Sequence, residues 1–173
     1  MIYEVKGKKP QLGKRNFIAP NAALIGDIII GENVSIWFNA VLRGDSNSII
    51  IGDNSNIQDN VTVHVEYKEG TNIGKNVSIG HNCVIHGCTI GDNSLIGMGT
   101  LIMTGSKIPK NSLVAAGSLV NAKLNAPEGA LIAGSPAKVI KLLDERYLQL
   151  LKDSNDEYIE RLEDYEKDFN EVK

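Results

Sequence analysis

Aromatic residues make up only 5% of this chain, so large rings cannot build its interior. With 42% of residues hydrophobic, the core has to be assembled from small aliphatic units instead. Cysteine is nearly absent, and two residues, Cys83 and Cys88, make no disulfide framework, so a reducing, cytoplasmic setting is expected. No stretch approaches the roughly 20 apolar residues of a membrane span, and the opening "MIYEVKGKKPQ" lacks the apolar run of a secretory signal. A formal net charge of −3 and no basic run give no reason to expect nucleic acid or a membrane as partner. The length, 173 residues, suits one soluble domain with room for a core. Histidine is scarce as well, and two of the three, His81 and His86, fall in one short string, "IGHNCVIHGC"; the third is His64.

What the chain does have is a repeat. An aliphatic residue returns every six positions at Ile18, Leu24, Ile30, Ile36 and Leu42, then at Ile51, Ile57 and Val63, and at Ile73, Ile79 and Ile85. The longest run is Ile90, Ile96, Ile102, Ile108, Val114 and Val120. Six is neither a helical period nor simple alternation, so each unit must be a short strand and a corner. Two residues earlier the side chain is Ala, Ser, Thr, Val or Cys, with Asn16, Ile28 and Ile49 as exceptions. By strand alternation this small residue points inward with the aliphatic one. Glycine follows at Gly31, Gly52, Gly74, Gly80, Gly91 and Gly97, where close backbone turning is expected. The pattern resembles the left-handed hexapeptide β-helix family: an all-β solenoid of triangular section covering about residues 16–136. The left hand is what the resemblance implies, since general rules for parallel crossovers give the opposite hand. Three sides to a coil makes roughly six coils, stacked about 4.8 Å apart.

Residues 1–136 are thus expected to form the repeat unit, with 1–15 as lead-in, and 137–173 a C-terminal helix packed on it. The tail "LLDERYLQLLKDSNDEYIERLEDYEKDF" is rich in helix formers and has neither Gly nor Pro. Leu143, Tyr147, Leu150 and Leu151, then Tyr158, Leu162 and Tyr165, predict a helical stripe from about Asp144 to Phe169, with a bend near Ser154. Such a helix would cap an open end of the solenoid, and its charge run is read as its solvated face.

The hexad phase places the histidines. Counting from Val63 on one side, called A, His64 and His86 both follow an aliphatic residue of side A, one coil apart. Stacked strands put them roughly 4.8 Å apart in one outward column, with Arg43 below and Met103 above. His81 lies at the corner end of side C, in a column with Phe38, Asp59 and Met98. A single prism does not bring His81 to the other pair, but a neighbouring copy in a threefold assembly can. Three neutral imidazoles leave a metal an open position, the arrangement of catalytic zinc, which generates hydroxide near neutral pH. The same contact brings together Arg43 and Asp59, opposite charges expected to form a bidentate pair.

"LRGDS" at 42–46, "NIQDNVTVH" at 56–64 and "IGHNCVIHGC" at 79–88 resemble, in this order, the γ-class carbonic anhydrases and their bacterial relatives. The resemblance covers nearly the whole chain. It implies a homotrimer with interfacial Zn2+ or Fe2+ sites and reversible hydration of CO2 to bicarbonate. It places the metal ligands on His64, His81 and His86, the inter-subunit pair on Arg43 and Asp59, the glutamine beside the nucleophile on Gln58, and a structural aspartate on Asp45. Two departures stand out: Ser46 where the best-characterised members have Glu, and only "VEYKEG", with Glu66 and Glu69, where those members have a long acidic loop bearing a proton shuttle.

Other readings compete. Cys83 and Cys88 look like ligands in the quoted string, yet both fall in the inward small-residue slot and are expected to be core. Met98 and Met103 are expected to form an apolar wall near the metal. Hexapeptide acyltransferases share the repeat and use a histidine base beside an acyl-CoA site. A metal-holding trimer without catalytic activity is the third possibility.

Overall fold

The computed structural model describes residues 1–172. Most hexads form a parallel strand only two or three residues long, and three successive sides complete a coil of a triangular prism. The architecture is that of the left-handed hexapeptide-repeat β-helix, closed by one C-terminal helix. Face C is a sheet of its own, running from Phe17–Ile18 through Ser35–Ile36, Asn56–Ile57, Ser78–Ile79, Leu95–Ile96 and Leu113–Val114 to Ala130–Gly134. Faces A and B join into one sheet because Ala23–Ile30 and Val41–Ile51 run unbroken through the corner between them.

The interior follows the two-slot pattern. Every aliphatic slot from Leu24 to Val120 is buried, and so is the residue two places before each. Only the first slot, Ile18 with Asn16, is partly exposed, at the open N-terminal end. The two oversized occupants of the small slot, Ile28 and Ile49, are register neighbours, both 0% exposed, and the next residue in that stack is Thr71. Bulky side chains on adjacent levels thus share one enlarged stretch of the interior. Glycine after the aliphatic residue is needed for close approach along the stack. A Cβ added at Gly31 or Gly74 would lie 2.4 or 2.3 Å from the carboxylate of Asp53 or Asp92 in the next coil.

The corner between faces B and C carries a ladder that the hexad pattern alone did not announce. Asn33, Asn54, Asn76, Asn93 and Asn111 all adopt left-handed backbone, with φ between 54° and 59°. Asparagine tolerates this region because its short amide can bond locally. Each amide nitrogen donates to the amide oxygen of the next, at 3.1, 3.1, 2.9 and 3.0 Å, and Asn111 ends the series on Glu128.

Four expectations need correction. The solenoid exceeds roughly six coils, because face C alone has seven parallel strands. Ile132 continues the aliphatic column after Val114, and Ile2–Tyr3 and Gln11–Leu12 of the lead-in pair with Ala23–Ile30. The tail does not begin as helix. Ala137–Leu142 turns back antiparallel on Ala130–Gly134, covering the edge of the last coil before the helix starts. The helix itself spans Glu145–Asp168 without interruption, and Asp144 caps it by accepting from the Tyr147 amide at 3.2 Å. Its inner stripe is Leu151, Asn155, Tyr158, Leu162 and Tyr165, a regular 3.6-residue series, whereas Leu150 is 46% exposed. Asn155 is 4% exposed and donates to the Asn54 carbonyl at 2.8 Å, tying the helix to the asparagine corner.

The few aromatic residues are concentrated where the helix meets the first coils. Phe17 and Phe38 meet Tyr165 and Phe169, and Trp37 meets Tyr165 and Tyr158, with ring centroids 4.9–6.3 Å apart. The Trp37 indole N–H is satisfied by the Ser35 hydroxyl at 3.0 Å.

Candidate metal centre

His64 and His86 end the strands Thr62–His64 and Val84–His86, which are paired in register on face A. Inward Val63 and Ile85 anchor these strands, so the next residue of each must point out. The two imidazoles face each other: His64 Nδ1 lies 3.1 Å from His86 Nε2, with ring centroids 5.0 Å apart. Two nitrogens bound at tetrahedral angles to one zinc, with Zn–N near 2.05 Å, stand roughly 3.3 Å apart. The pair therefore fits a shared metal, with neutral nitrogen donors of the type zinc and iron accept.

The nitrogens that do not face each other are also held. His64 Nε2 is 3.1 Å from Asp45 Oδ1, and His86 Nδ1 is 2.9 Å from Thr104 Oγ1. Arg43, directly below His64 in register, forms an ion pair with the other Asp45 oxygen. Desolvation pushes the Asp45 carboxyl up, but the hydrogen bonds to His64 and Arg43 outweigh it and hold the group at about 2.

His81 stands on the second column. Its Nδ1 lies 2.9 Å from Asp59 Oδ2, and its Nε2 is 3.5 Å from the hydroxyl of Tyr158 on the helix. A carboxylate on one ring nitrogen is the usual outer partner of a metal-binding histidine, and it leaves Nε2, with only the long Tyr158 contact, as the nitrogen that could coordinate. Gln58, beside Asp59, is 7% exposed and donates to the Asn56 side chain at 3.1 Å. Asn56 in turn donates to Ser78 at 2.8 Å, so the Gln58 carboxamide is fixed in orientation.

Within one chain, then, two of the three histidines come together and the third does not. No group of three or more His, Cys, Asp or Glu side chains converges on a metal position among the described residues. Arg43 pairs with Asp45 and Asp59 with His81, so the Arg43–Asp59 pair is not made inside the chain. Cys83 and Cys88 are both buried, and desolvation pushes their thiols up to about 11 and about 12. Exposed apolar side chains flank the charged groups of the histidine columns: Val41, Val84, Met98 and Met103 are between 37% and 58% exposed.

Thr104, Asn56 and Tyr158 touch site residues and were not picked out by sequence. Thr104 follows Met103 in the His86 column and Asn56 precedes Ile57, so hexad phase could have placed both near the site. Nothing in the phase specifies how a helix residue such as Tyr158 meets the column.

Comparison with known proteins agrees with the hexapeptide-repeat fold. Residues 9–44 and 70–103 match the family model described as bacterial transferase hexapeptide (six repeats), and 27–64 match the hexapeptide repeat of succinyl-transferase. Carbonic anhydrase of Geobacillus kaustophilus is 44% identical over 93% of this chain and 88% of its own length. Gamma carbonic anhydrase 2, mitochondrial, of Arabidopsis thaliana is 38% identical over 91% of this chain, which spans 59% of that protein. The solved structure of a hexapeptide transferase family protein from Anaplasma phagocytophilum superposes with a TM-score of 0.90 at 41% identity, covering 95% of this chain and 98% of that one. With the histidine columns standing on such a solenoid and this similarity running along nearly its whole length, the chain belongs to the γ-class carbonic anhydrase family of hexapeptide-repeat proteins.

Proposed function

We propose that this protein is a γ-class carbonic anhydrase, catalysing the reversible hydration of CO2 to bicarbonate at metal sites shared between subunits of a cytoplasmic homotrimer. The observation that carries the proposal is the His64–His86 pair, with nitrogens 3.1 Å apart, beside a separate His81 oriented by Asp59. His64 and His86 of one subunit and His81 of the next would hold Zn2+ or Fe2+. When bound, the metal supplies the Lewis acidity that ionises water near neutral pH.

The chain's own groups do the rest. Gln58, fixed through Asn56, offers a second amide hydrogen and a carbonyl to orient the nucleophile. Met98, Met103, Val41 and Val84 give an apolar face on which a second subunit can seat and from which water is excluded. In the trimer Arg43 would reach Asp59 of the neighbouring copy, tying the subunit contact to the His81 column. Asp45 stays ionised at neutral pH and keeps the outer nitrogen of His64 engaged.

The curated relatives named carbonic anhydrase support this reaction, the transferase names of the repeat models and of the superposed structure go with the shared fold, and three histidines in two columns are more than an acyltransferase base requires. The test is stopped-flow CO2 hydration on protein loaded anaerobically with Zn2+ and, separately, with Fe2+, alongside metal analysis and sedimentation. Turnover with one metal per chain in a trimer is expected. A fully metallated trimer inert with both metals would instead be a binding or assembly protein, and CoA affinity without bound metal would favour acyl transfer.

A further inference from the structure

We infer that Thr104 is a positioning residue of the metal centre, holding the outer nitrogen of His86 so that Nε2 is presented for coordination. This deepens the metal-site reading above and rests on it. Each ring of the His64–His86 pair turns one nitrogen toward the other ring at 3.1 Å. The remaining nitrogen of His64 is met by the Asp45 carboxylate at 3.1 Å, and that of His86 by the Thr104 hydroxyl at 2.9 Å. The two histidines are therefore held by different chemistry: a charged acceptor for one, a neutral hydroxyl for the other.

A neutral histidine that coordinates through Nε2 carries its proton on Nδ1, and a partner accepting that proton fixes both tautomer and ring plane. A threonine oxygen has lone pairs to accept with and can turn its own hydrogen away. The hydroxyl of Thr104 is not free to wander. Its methyl lies against Gly87, where an added Cβ would come within 3.3 Å of Thr104 Cγ2. The adjoining backbone is locked by the Gly105 amide donating to the Gly87 carbonyl at 2.8 Å. A β-branched side chain has few χ1 choices, and with the methyl on Gly87 the hydroxyl falls on His86.

Shape and hydrogen bonding can be separated by two variants. Thr104→Val keeps the methyl and the volume but removes the oxygen; Thr104→Ser keeps the oxygen and removes the methyl. Zn2+ affinity is measured in the full-length protein by competition with a chromophoric chelator. Co2+ loading adds a visible absorption spectrum that reports ligand geometry, and thermal melting of the metal-free proteins monitors the fold.

Thr104→Val is expected to weaken Zn2+ binding about 10- to 100-fold and to alter the Co2+ bands. Thr104→Ser should stay close to the parent in both. Equal affinity and spectrum for parent and Thr104→Val would overturn the inference, as would the reversed order, with Ser weakened and Val intact, which marks a packing role for the methyl. Should Thr104→Val not fold, Thr104→Ala against Thr104→Ser makes the same comparison with the methyl absent from both. A parent protein that takes up no metal would instead remove the metal-site reading itself, and this inference with it.

Discussion

If each metal site draws two histidines from one subunit and one from the next, two inactive variants should repair one another. His81→Ala keeps the His64–His86 pair, whose nitrogens stand 3.1 Å apart on face A, and loses the lone histidine on the other column. His64→Ala breaks the pair but leaves His81 seated on Asp59 at 2.9 Å. Neither homotrimer alone has a complete site. In a cyclic trimer containing both variants, going once around the ring crosses from a pair-bearing subunit to a His81-bearing one at a single junction. Random equal mixing gives about three-quarters mixed trimers, each with one complete site of three, so roughly a quarter of sites should regain metal. The assay is co-refolding of the two variants, removal of loosely held metal, and metal analysis of trimers shown to contain both chains. Unmixed controls should hold none. No recovery in verified mixed trimers would refute the interfacial site and with it the use of hexad phase to separate His81 from the pair.

The asparagine ladder should be as sensitive to backbone as to side chain. Asn76→Gly loses the bonds to Asn54 and Asn93, a cost of about 2 kcal/mol at about 1 kcal/mol each, while keeping the φ of 54°. Asn76→Ala loses the same bonds and, unlike Gly, keeps a Cβ in left-handed backbone with no amide to bond locally, about 1–2 kcal/mol more, so urea melts should rank Gly above Ala. The buried thiols should be silent: with Cys83 at about 11 and Cys88 at about 12, a thiol-disulfide reagent at pH 8 should titrate neither in the native protein and both after unfolding. Because the chain has Ser46 and the short "VEYKEG" loop at the positions of the family's shuttle, CO2 hydration should rise with the concentration of an imidazole buffer. A measurable rate indifferent to buffer would show that proton export is carried by the protein.

The sequence was readable wherever the repeat dictated direction. Inward and outward alternate along each short strand, so the buried aliphatic slots, the inward cysteines and the registered His64–His86 pair all follow from counting in sixes. Counting gives no direction to side chains at corners or on elements outside the repeat. Leu150 and Leu151 are equivalent by composition; the helix buries Leu151 because Asn155, one turn later, finds the Asn54 carbonyl, and a polar anchor is invisible to a search for apolar stripes. The strand Ala137–Leu142 carries two lysines and mostly exposed side chains, so it shows no alternation, and it exists because the edge of the last coil needs pairing. Thr104 reaches His86 through a hydroxyl whose direction is set by a neighbouring glycine, a detail of local packing rather than of period.

The aromatic cluster has a consequence for how the chain is made. A solenoid can add coils one upon another as it is synthesised, each new coil docking on the last. The outer faces of Phe17, Trp37 and Phe38 belong to the earliest coils, yet their partners Tyr158, Tyr165 and Phe169 are synthesised only after the last coil. Until then the nascent prism must carry a bare patch of rings on its first levels, open to any passing apolar surface. Once the helix swings down across face C, the first coils are fastened to the segment that follows the last one, and the stack can no longer fray from its first level without lifting the helix.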